Sequence, residues 1–474
     1  MSRQRAVHAP AQGIVMIRSI SLCLLAAASG SALAVDGLPD STFGFLASGR
    51  NVIALNQGGS NSDSIVDVLV NPDRSIVMVG TSRGAGSISR YAITKLTPNG
   101  LIDSSFGSNG TLYSLGANLT ASRARLDADG NVVIVGTATI NGTDKDFSVC
   151  RYSPQGQPVT FSALGTNCRN ISFDIANGNL TDQARDFRFD SAGRIVIAGV
   201  AGFSTSSDYA AITRLNLAGE VDTTFSGQGK IKRQFVPNAI NHYNALAIRP
   251  DGKFYAVGEA GNPQSIGGTG MVFARLASAG DIDPAYQNGD GFSLLNMDNG
   301  VQFHRDDVAT SVELLSDGKI LVAGLMDMGT EAGQRSAFLF KFQPLDVTTF
   351  DTSFADFGRF YGGMGYGRGV NKILVQSDDK IIVVGSRKVL EATDSVMHVM
   401  RLLPDGQLDT TQFGSNGRVD VDFLLPGDDD YGTAVASQGG SLLIAGHSKN
   451  QNSQDLDQTI VRLHNDLIFA DGLE

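Results

Sequence analysis

Short apolar runs recur along the chain about every sixty residues, and within them apolar and polar positions do not alternate. Examples are Ile76-Val77-Met78-Val79, Val132-Val133-Ile134-Val135, Ile195-Val196-Ile197-Ala198, Ile320-Leu321-Val322-Ala323 and Ile381-Ile382-Val383-Val384. A strand with one wet face shows period two, so an uninterrupted run of this length predicts a strand covered on both faces. Each run ends in a glycine: Gly80, Gly136, Gly199, Gly258, Gly324, Gly385 and Gly446. These are spaced by 56, 63, 59, 66, 61 and 61 residues. The seventeen positions before each glycine align without a gap, which confines length variation to loops elsewhere.

Ahead of each run stands a turn: Pro72-Asp73-Arg74, Asp129-Gly130-Asn131, Ala192-Gly193-Arg194, Asp251-Gly252-Lys253, Asp317-Gly318-Lys319, Asp378-Asp379-Lys380 and Gly439-Gly440-Ser441. Asp-Gly between apolar runs signals a hairpin, because glycine accepts positive φ and Asp can bond its own backbone two residues on. A further strand in every unit carries a basic residue: Lys95, Arg151, Arg214, Arg275, Lys341, Arg401 and Arg462. An Asp-x-x-Phe/Tyr element accompanies it at Asp40/Phe43, Asp103/Phe106, Asp222/Phe225, Asp283/Tyr286, Asp351/Phe354 and Asp466/Phe469. It is degenerate at Phe161, which lacks its Asp, and at Asp409/Phe413, which has one extra residue.

Counting a short strand after that element, as in Gly110-Thr111-Leu112-Tyr113, each unit holds four strands. Seven such units predict an all-β chain folded as a seven-bladed β-propeller of four-stranded antiparallel blades, since radial closure removes the open edges. A lone unit is not expected to fold, because each face it buries belongs partly to its neighbour.

These residues carry a resemblance. Leu101-Ile102-Asp103-Ser104-Ser105-Phe106-Gly107, followed by Asp129-Gly130-Asn131-Val132-Val133-Ile134-Val135-Gly136 and by residues 147–152, is similar to the delta-60 repeat family of bacterial secreted and surface proteins. The resemblance spans nearly all of residues 35–474 and implies a propeller-like fold. It implies no activity.

The first 34 residues read as a secretory signal: Arg18 precedes an apolar run over residues 20–28, and Ala32-Leu33-Ala34 supplies the small-x-small cleavage site. Met16 offers a second start, so residues 1–15 are either an extended n-region or upstream of the true start. The expected product is a single propeller over 35–474, secreted, periplasmic or on the cell surface, and monomeric. No other stretch has the eighteen consecutive apolar residues of a spanning helix. Without the signal, 34 basic residues face 48 acidic ones, a net charge of −14. That balance argues against nucleic acid as a partner.

Two cysteines remain, Cys150 and Cys168, and an exported pair is free to oxidise. A disulfide closing that loop would stabilise by about 3 kcal/mol. Two unpaired thiols are the alternative.

Candidate chemistry is sparse. Seventeen residues before each marker glycine lies the column Asp63, Leu119, Asp182, Asn241, Asp307, Arg368 and Asp429. If Asp63, Asp182, Asp307 and Asp429 shared one mouth of the ring, their oxygens would suit calcium or a polyhydroxylated ligand. The commoner use of Asp in such places is to cap a turn. The basic column reads as an anion-binding rim, as charge protecting an outer edge strand, or as local ion pairing with the Asp-x-x-Phe element. Gly80-Thr81-Ser82-Arg83-Gly84 matches a nucleophile-elbow pattern but follows a strand in an all-β unit, where no helix is expected. The histidines His242, His304, His398, His447 and His464 are scattered, with no zinc motif. No cofactor other than calcium is suggested. The sequence therefore points to a secreted non-catalytic propeller that binds or scaffolds a protein or glycan, with an extracellular hydrolase or lyase as the alternative.

Overall fold

A computed structural model describes residues 36–465, apart from 56, 58–61, 162–164, 174, 176–180, 205, 262–267, 296–305, 328–334, 345, 363–368, 389–393, 424–428 and 451–454. The secretory signal, His304, Arg368, Asp466/Phe469 and the C-terminal tail lie outside the described residues.

Blade 1 consists of Ser62–Val70, Ile76–Arg83, Ser89–Leu96 and Thr111–Tyr113. Blade 2 consists of Leu119–Leu126, Val132–Asn141, Asp144–Tyr152 and Cys168–Ile171. Blade 3 comprises Gln183–Phe189, Ile195–Gly202, Asp208–Leu215 and Lys230–Arg233, and blade 4 Asn241–Ile248, Phe254–Gly261, Thr269–Leu276 and Phe292–Leu295. Blade 5 comprises Val308–Leu314, Ile320–Asp327, Arg335–Gln343 and Arg359–Tyr361, with Asp346–Phe350 as an extra strand. Blade 6 comprises Val370–Val375, Ile381–Lys388, Ser395–Leu402 and Arg418–Val421. Blade 7 takes Asp429–Ser437, Ser441–Asn450 and Asp455–His464 from the C-terminal end and its fourth strand, Arg50–Ile53, from the N-terminal end. Pairing within each blade is antiparallel, and the first strands touch one another in order around the ring, blade 7 meeting blade 1. The protein is a seven-bladed β-propeller closed by its own N-terminal strand.

Burial explains the apolar runs. The core lies at the seams between blades, in seven clusters, and successive residues of one second strand serve opposite seams. Ile195 and Ile197 pack with blade 2, whereas Val196 and Ala198 pack with blade 4. The run does not alternate because both of its faces are interior.

In every blade the register slips by one residue in the first strand, leaving Val66, Ser122, Arg185, Asn244, Thr310, Asn371 and Thr433 as bulges. Such a bulge bends the strand and re-aims its neighbours. It also explains the marker glycines. A Cβ on Gly80 would lie 1.7 Å from Ser64 O, one on Gly136 2.1 Å from Thr120 O, and one on Gly446 1.7 Å from Tyr431 O.

The gapless alignment fails in blade 7. Gly432 pairs with Gly446 there, fourteen residues apart, whereas Ile65 pairs with Gly80 fifteen apart. The turn after Ser437 is one residue shorter, so every first-strand position assigned in blade 7 by counting from Gly446 is displaced by one.

Candidate functional site

The acidic column shows the consequence of that displacement. The blade 7 counterpart of Asp63 is Asp430, not Asp429. Asp430 is buried and accepts the Phe423 N–H at 2.9 Å and the Ser448 hydroxyl. Asp63 accepts the Leu55 N–H at 3.0 Å, and Asn241 accepts those of Phe235 and Val236 at 2.7 and 3.0 Å. Asp182 accepts from Phe173 N and from Gly202 N. Asp429 instead accepts the Ser395 N–H of blade 6 at 2.9 Å. Asp307 is buried, and its own N–H donates to Thr269 O of blade 4 at 3.1 Å. Asp63, Asp182, Asn241 and Asp430 each tie down the segment entering their own first strand, and Asp429 reaches the neighbouring blade. Among the described residues no group of three or more His, Cys, Asp or Glu is placed to hold a metal ion. Burial, reinforced by Asp455 and Asp457, pushes the Asp63 carboxyl up to about 7.

The basic column lies in the third strand of each blade, flanked by the second and fourth strands, so it does not protect an edge. It makes ion pairs. Arg214 meets Asp222, Arg275 meets Asp283 and Arg462 meets Asp40, each at 2.8 Å, and Arg401 meets Asp409 at 2.9 Å. Lys95–Asp103 and Lys341–Asp351 are longer, at 3.6 and 3.7 Å. Arg151, whose repeat lacks the Asp, turns to Asp127 at 3.4 Å. The same cations sit over the ring of the element: Arg214 over Phe225 at 4.7 Å, Arg401 over Phe413 at 4.7 Å and Arg462 over Phe43 at 4.8 Å. That ring faces a glycine of the next blade. A Cβ on Gly100 would strike Phe43, one on Gly156 Phe106, and one on Gly280 Phe225. The guanidinium then reaches across the seam, Arg214 donating to Ser278 O and Arg462 to Pro98 O, both at 2.8 Å. Basic residue, Asp, ring and glycine together form an inter-blade lock.

Cys150 and Cys168 are directly opposed on the third and fourth strands of blade 2 and are disulfide-bonded. Ser82 is buried within a strand across from Asp63, followed only by a single 3-10 turn, Ala85–Ser87, and then the next strand. His242 bridges Asp208 Oδ2 through Nε2 at 2.8 Å and Glu259 Oε1 through Nδ1 at 2.9 Å. Only the imidazolium can donate at both nitrogens. Against burial, which favours the neutral ring, the two carboxylates hold the His242 pKa above its ordinary value.

The residues that converge on the axis went unrecognised in the sequence. The bulged side chains form a belt of bonds from blade to blade. Ser122 donates to Ala184 O, Asn244 to Ala309 O, Thr310 to Val370 O, Asn371 to Gly432 O and Thr433 to Ile65 O, all between 2.6 and 3.0 Å. Arg185 donates to Asn244 Oδ1 and completes the step between blades 3 and 4. Beside this belt lies a charged cluster of Asp67, Arg123, Arg125, Asp186, Arg188, Glu313 and Lys372. Lys372 of blade 6 passes Ala434 of blade 7 to reach Asp67 of blade 1 at 3.1 Å. Arg188 of blade 3 passes the small Ala247 of blade 4 to reach Glu313 of blade 5, also at 3.1 Å. Asp186 takes Arg125 and Arg188 at 3.1 Å each and Arg123 at 3.8 Å, besides the Leu246 N–H at 2.9 Å. Burial lowers the Lys372 pKa; Asp67 opposes this, and Arg123 and Arg125 add to it. Glu313 is pushed up to about 7 by burial despite the attraction of Arg125 and Lys372. One signal was available: charged residues two apart, Arg123/Arg125 and Asp186/Arg188, in the segments that precede the turns of their repeats.

The architecture is that of a propeller whose polar side chains act mainly across blade seams and on its axis. Residues 71–106, 193–225 and 376–411 match the family described as "Domain of unknown function (DUF5122) beta-propeller", so these three segments are similar to that domain. No curated protein matches the chain. Among solved structures, it is similar to a polysaccharide lyase of family PL25, an ulvan lyase, at 9% identity and a TM-score of 0.46, covering 91% of this chain and 94% of that one. It is similar to a Penicillium chrysogenum α-L-arabinanase at 10% identity and a TM-score of 0.41, covering 74% and 98%. It is also similar to the extracellular domains of Drosophila Semaphorin 1a at 9% identity and a TM-score of 0.40, covering 87% of each chain.

Proposed function

We propose that the protein is an exported, monomeric, non-catalytic propeller of delta-60-type repeats, secreted, periplasmic or held at the cell surface, that binds a protein or glycan through one loop face. The observation that carries this reading is the uneven distribution of loop length. Connections from first to second strand span five residues in blades 1 to 6. On the opposite face, connections from second to third strand run from two residues, after Asn141, to seven, after Gly261. Connections from the fourth strand to the next blade run from five residues, after Tyr113, to twelve, after Leu295. The uniform face carries the locks, whereas the varied face is free to differ from blade to blade. Varied loops on a rigid scaffold are where recognition concentrates.

A panel of polysaccharides and cell-surface proteins tests this directly, using residues 35–474 and the same protein with the 234–240 and 262–268 loops shortened. Saturable binding of one panel member without change to it, weakened at least tenfold by loop shortening, supports the reading. Turnover of a polysaccharide, seen as new reducing ends or unsaturated products, would replace it with an enzyme.

A further inference from the structure

The axial cluster is under-neutralised. Among the described residues, four cations, Arg123, Arg125, Arg188 and Lys372, face three carboxylates, Asp67, Asp186 and Glu313. Asp67 is occupied by Lys372 at 3.1 Å and by the Ala124 N–H at 2.8 Å. Asp186 is divided among three guanidiniums while accepting a backbone N–H. Arg123 gains least among the described residues: its ion pair is the longest of the three at 3.8 Å, beside a 3.4 Å contact to Ser122 O. The cluster is not dry, because Arg125 and Glu313 keep 25% and 31% of their side-chain surface open. A cavity of about 320 Å³ between blades 5 and 6, lined by Glu313, Ser316, Leu374, Gln376 and Asp379, meets the cluster at Glu313. Charge confined between low-dielectric walls acts more strongly than at a free surface.

We propose that the axial tunnel binds one small oxyanion, a sulfate, a phosphate or a ligand carboxylate, held chiefly by Arg123 with Arg125 and Lys372. The anion supplies the negative charge that Asp186 shares too thinly, and Arg123 has guanidinium donors to offer it. Glu313 opposes the site electrostatically while ionised. Because its pKa is about 7, acidification from pH 8 to 6 neutralises it and tightens anion binding. The tunnel is distinct from the varied loops, so this inference stands or falls independently of the loop-face reading.

The test titrates residues 35–474 with sodium sulfate by calorimetry and thermal denaturation at pH 7, against sodium chloride at matched ionic strength. A ligand that binds only the folded state raises Tm as it saturates. The expected result is saturable sulfate binding and a Tm rise that chloride does not reproduce. Arg123→Gln should weaken sulfate at least tenfold, and Glu313→Gln should tighten it severalfold. The two variants move affinity in opposite directions, and Glu313→Gln keeps the test decisive if Arg123→Gln does not fold. Identical responses to sulfate and chloride, or sulfate affinity unchanged in the variants, would overturn the proposal.

Discussion

At the scale of single residues, backbone approach and burial decide more than side-chain chemistry. Gly80 is glycine because the bulge at Val66 drives Ser64 O to within 1.7 Å of where a Cβ would stand. Gly80→Ala should therefore destabilise by at least about 3 kcal/mol. Gly142→Ala, at φ 59° with nothing within 4 Å, should cost only about 1 kcal/mol. Urea denaturation of the two variants checks the contrast. Asp63 carries a pH dependence. Its pKa is raised from 3.8 to about 7, so the folded state prefers the protonated carboxyl. The associated stability is fully present below the unfolded value and is lost as pH rises through 7. Asn occupies the same position in blade 4, where Asn241 accepts two backbone N–H groups. Asp63→Asn should leave Tm nearly unchanged at pH 4 and raise stability at pH 8, on the order of 1–3 kcal/mol. Thermal melts across that range decide it; an equal effect at both pH values would contradict the assignment to titration. Asp63, Asp182 and Asp307 were legible as a column, but counting from Gly446 lands on Asp429 and misses Asp430. A one-residue difference in turn length leaves no mark in composition, and only the pairing register exposes it.

At the scale of elements, the repeating Asp-x-x-Phe motif is an inter-blade fastener whose strength depends on how dry it is. Arg401 is 1% exposed and meets Asp36 at 2.6 Å, Asp409 at 2.9 Å and Asn465 Oδ1 at 2.8 Å, above the Phe413 ring. Removing one partner of a buried ion pair leaves the other uncompensated. Arg401→Met should cost about 3–5 kcal/mol, and adding Asp409→Asn should recover part of it. Lys95–Asp103 is the contrasting case, 3.6 Å apart with 18% and 24% of the side chains exposed. Lys95→Met should cost less than about 1 kcal/mol. Denaturant midpoints for the set test whether burial, rather than the motif itself, sets the energy. The motif and its recurrence are evident from spacing alone. Its role is not, because Phe43, Phe106, Phe161, Phe225 and Phe354 each pack on a glycine of the next repeat, near in space and 50–58 residues away in sequence. The axial cluster is hidden for the same reason: Lys372 and Asp67 are 305 residues apart.

At the scale of the whole molecule, seven seam clusters make stability a property of the closed ring. The seam between blades 7 and 1 is where chain entropy must be overcome over the full length of the protein. Three kinds of contact close it. Arg50–Ile53 pairs antiparallel with Asp455–His464, Ser62 bridges Leu456 in parallel, and Arg462 locks onto Asp40 and Phe43 while donating to Pro98 O of blade 1. Ile53, Leu55 and Phe43 enter the same cluster as Ala445, Ile460 and Ile76. The fourth strand, the Asp40–Phe43 half of the lock and the three apolar side chains all lie within residues 36–55, so a chain beginning after residue 55 loses them together and keeps the Ser62 bridge. An open ring exposes two seam faces, and in a repeat architecture the loss of one interface weakens the units on either side of it. Chains starting at residue 35 and at residue 56, compared by thermal denaturation and limited proteolysis, should differ accordingly. The shorter chain should melt at least 10 °C lower, with early cleavage in blades 7 and 1, and a peptide spanning residues 36–55 should restore much of the loss by refilling the gap. Equal melting of the two chains would mean that the ring is held by its blade seams alone and that the N-terminal strand is only an addition to it.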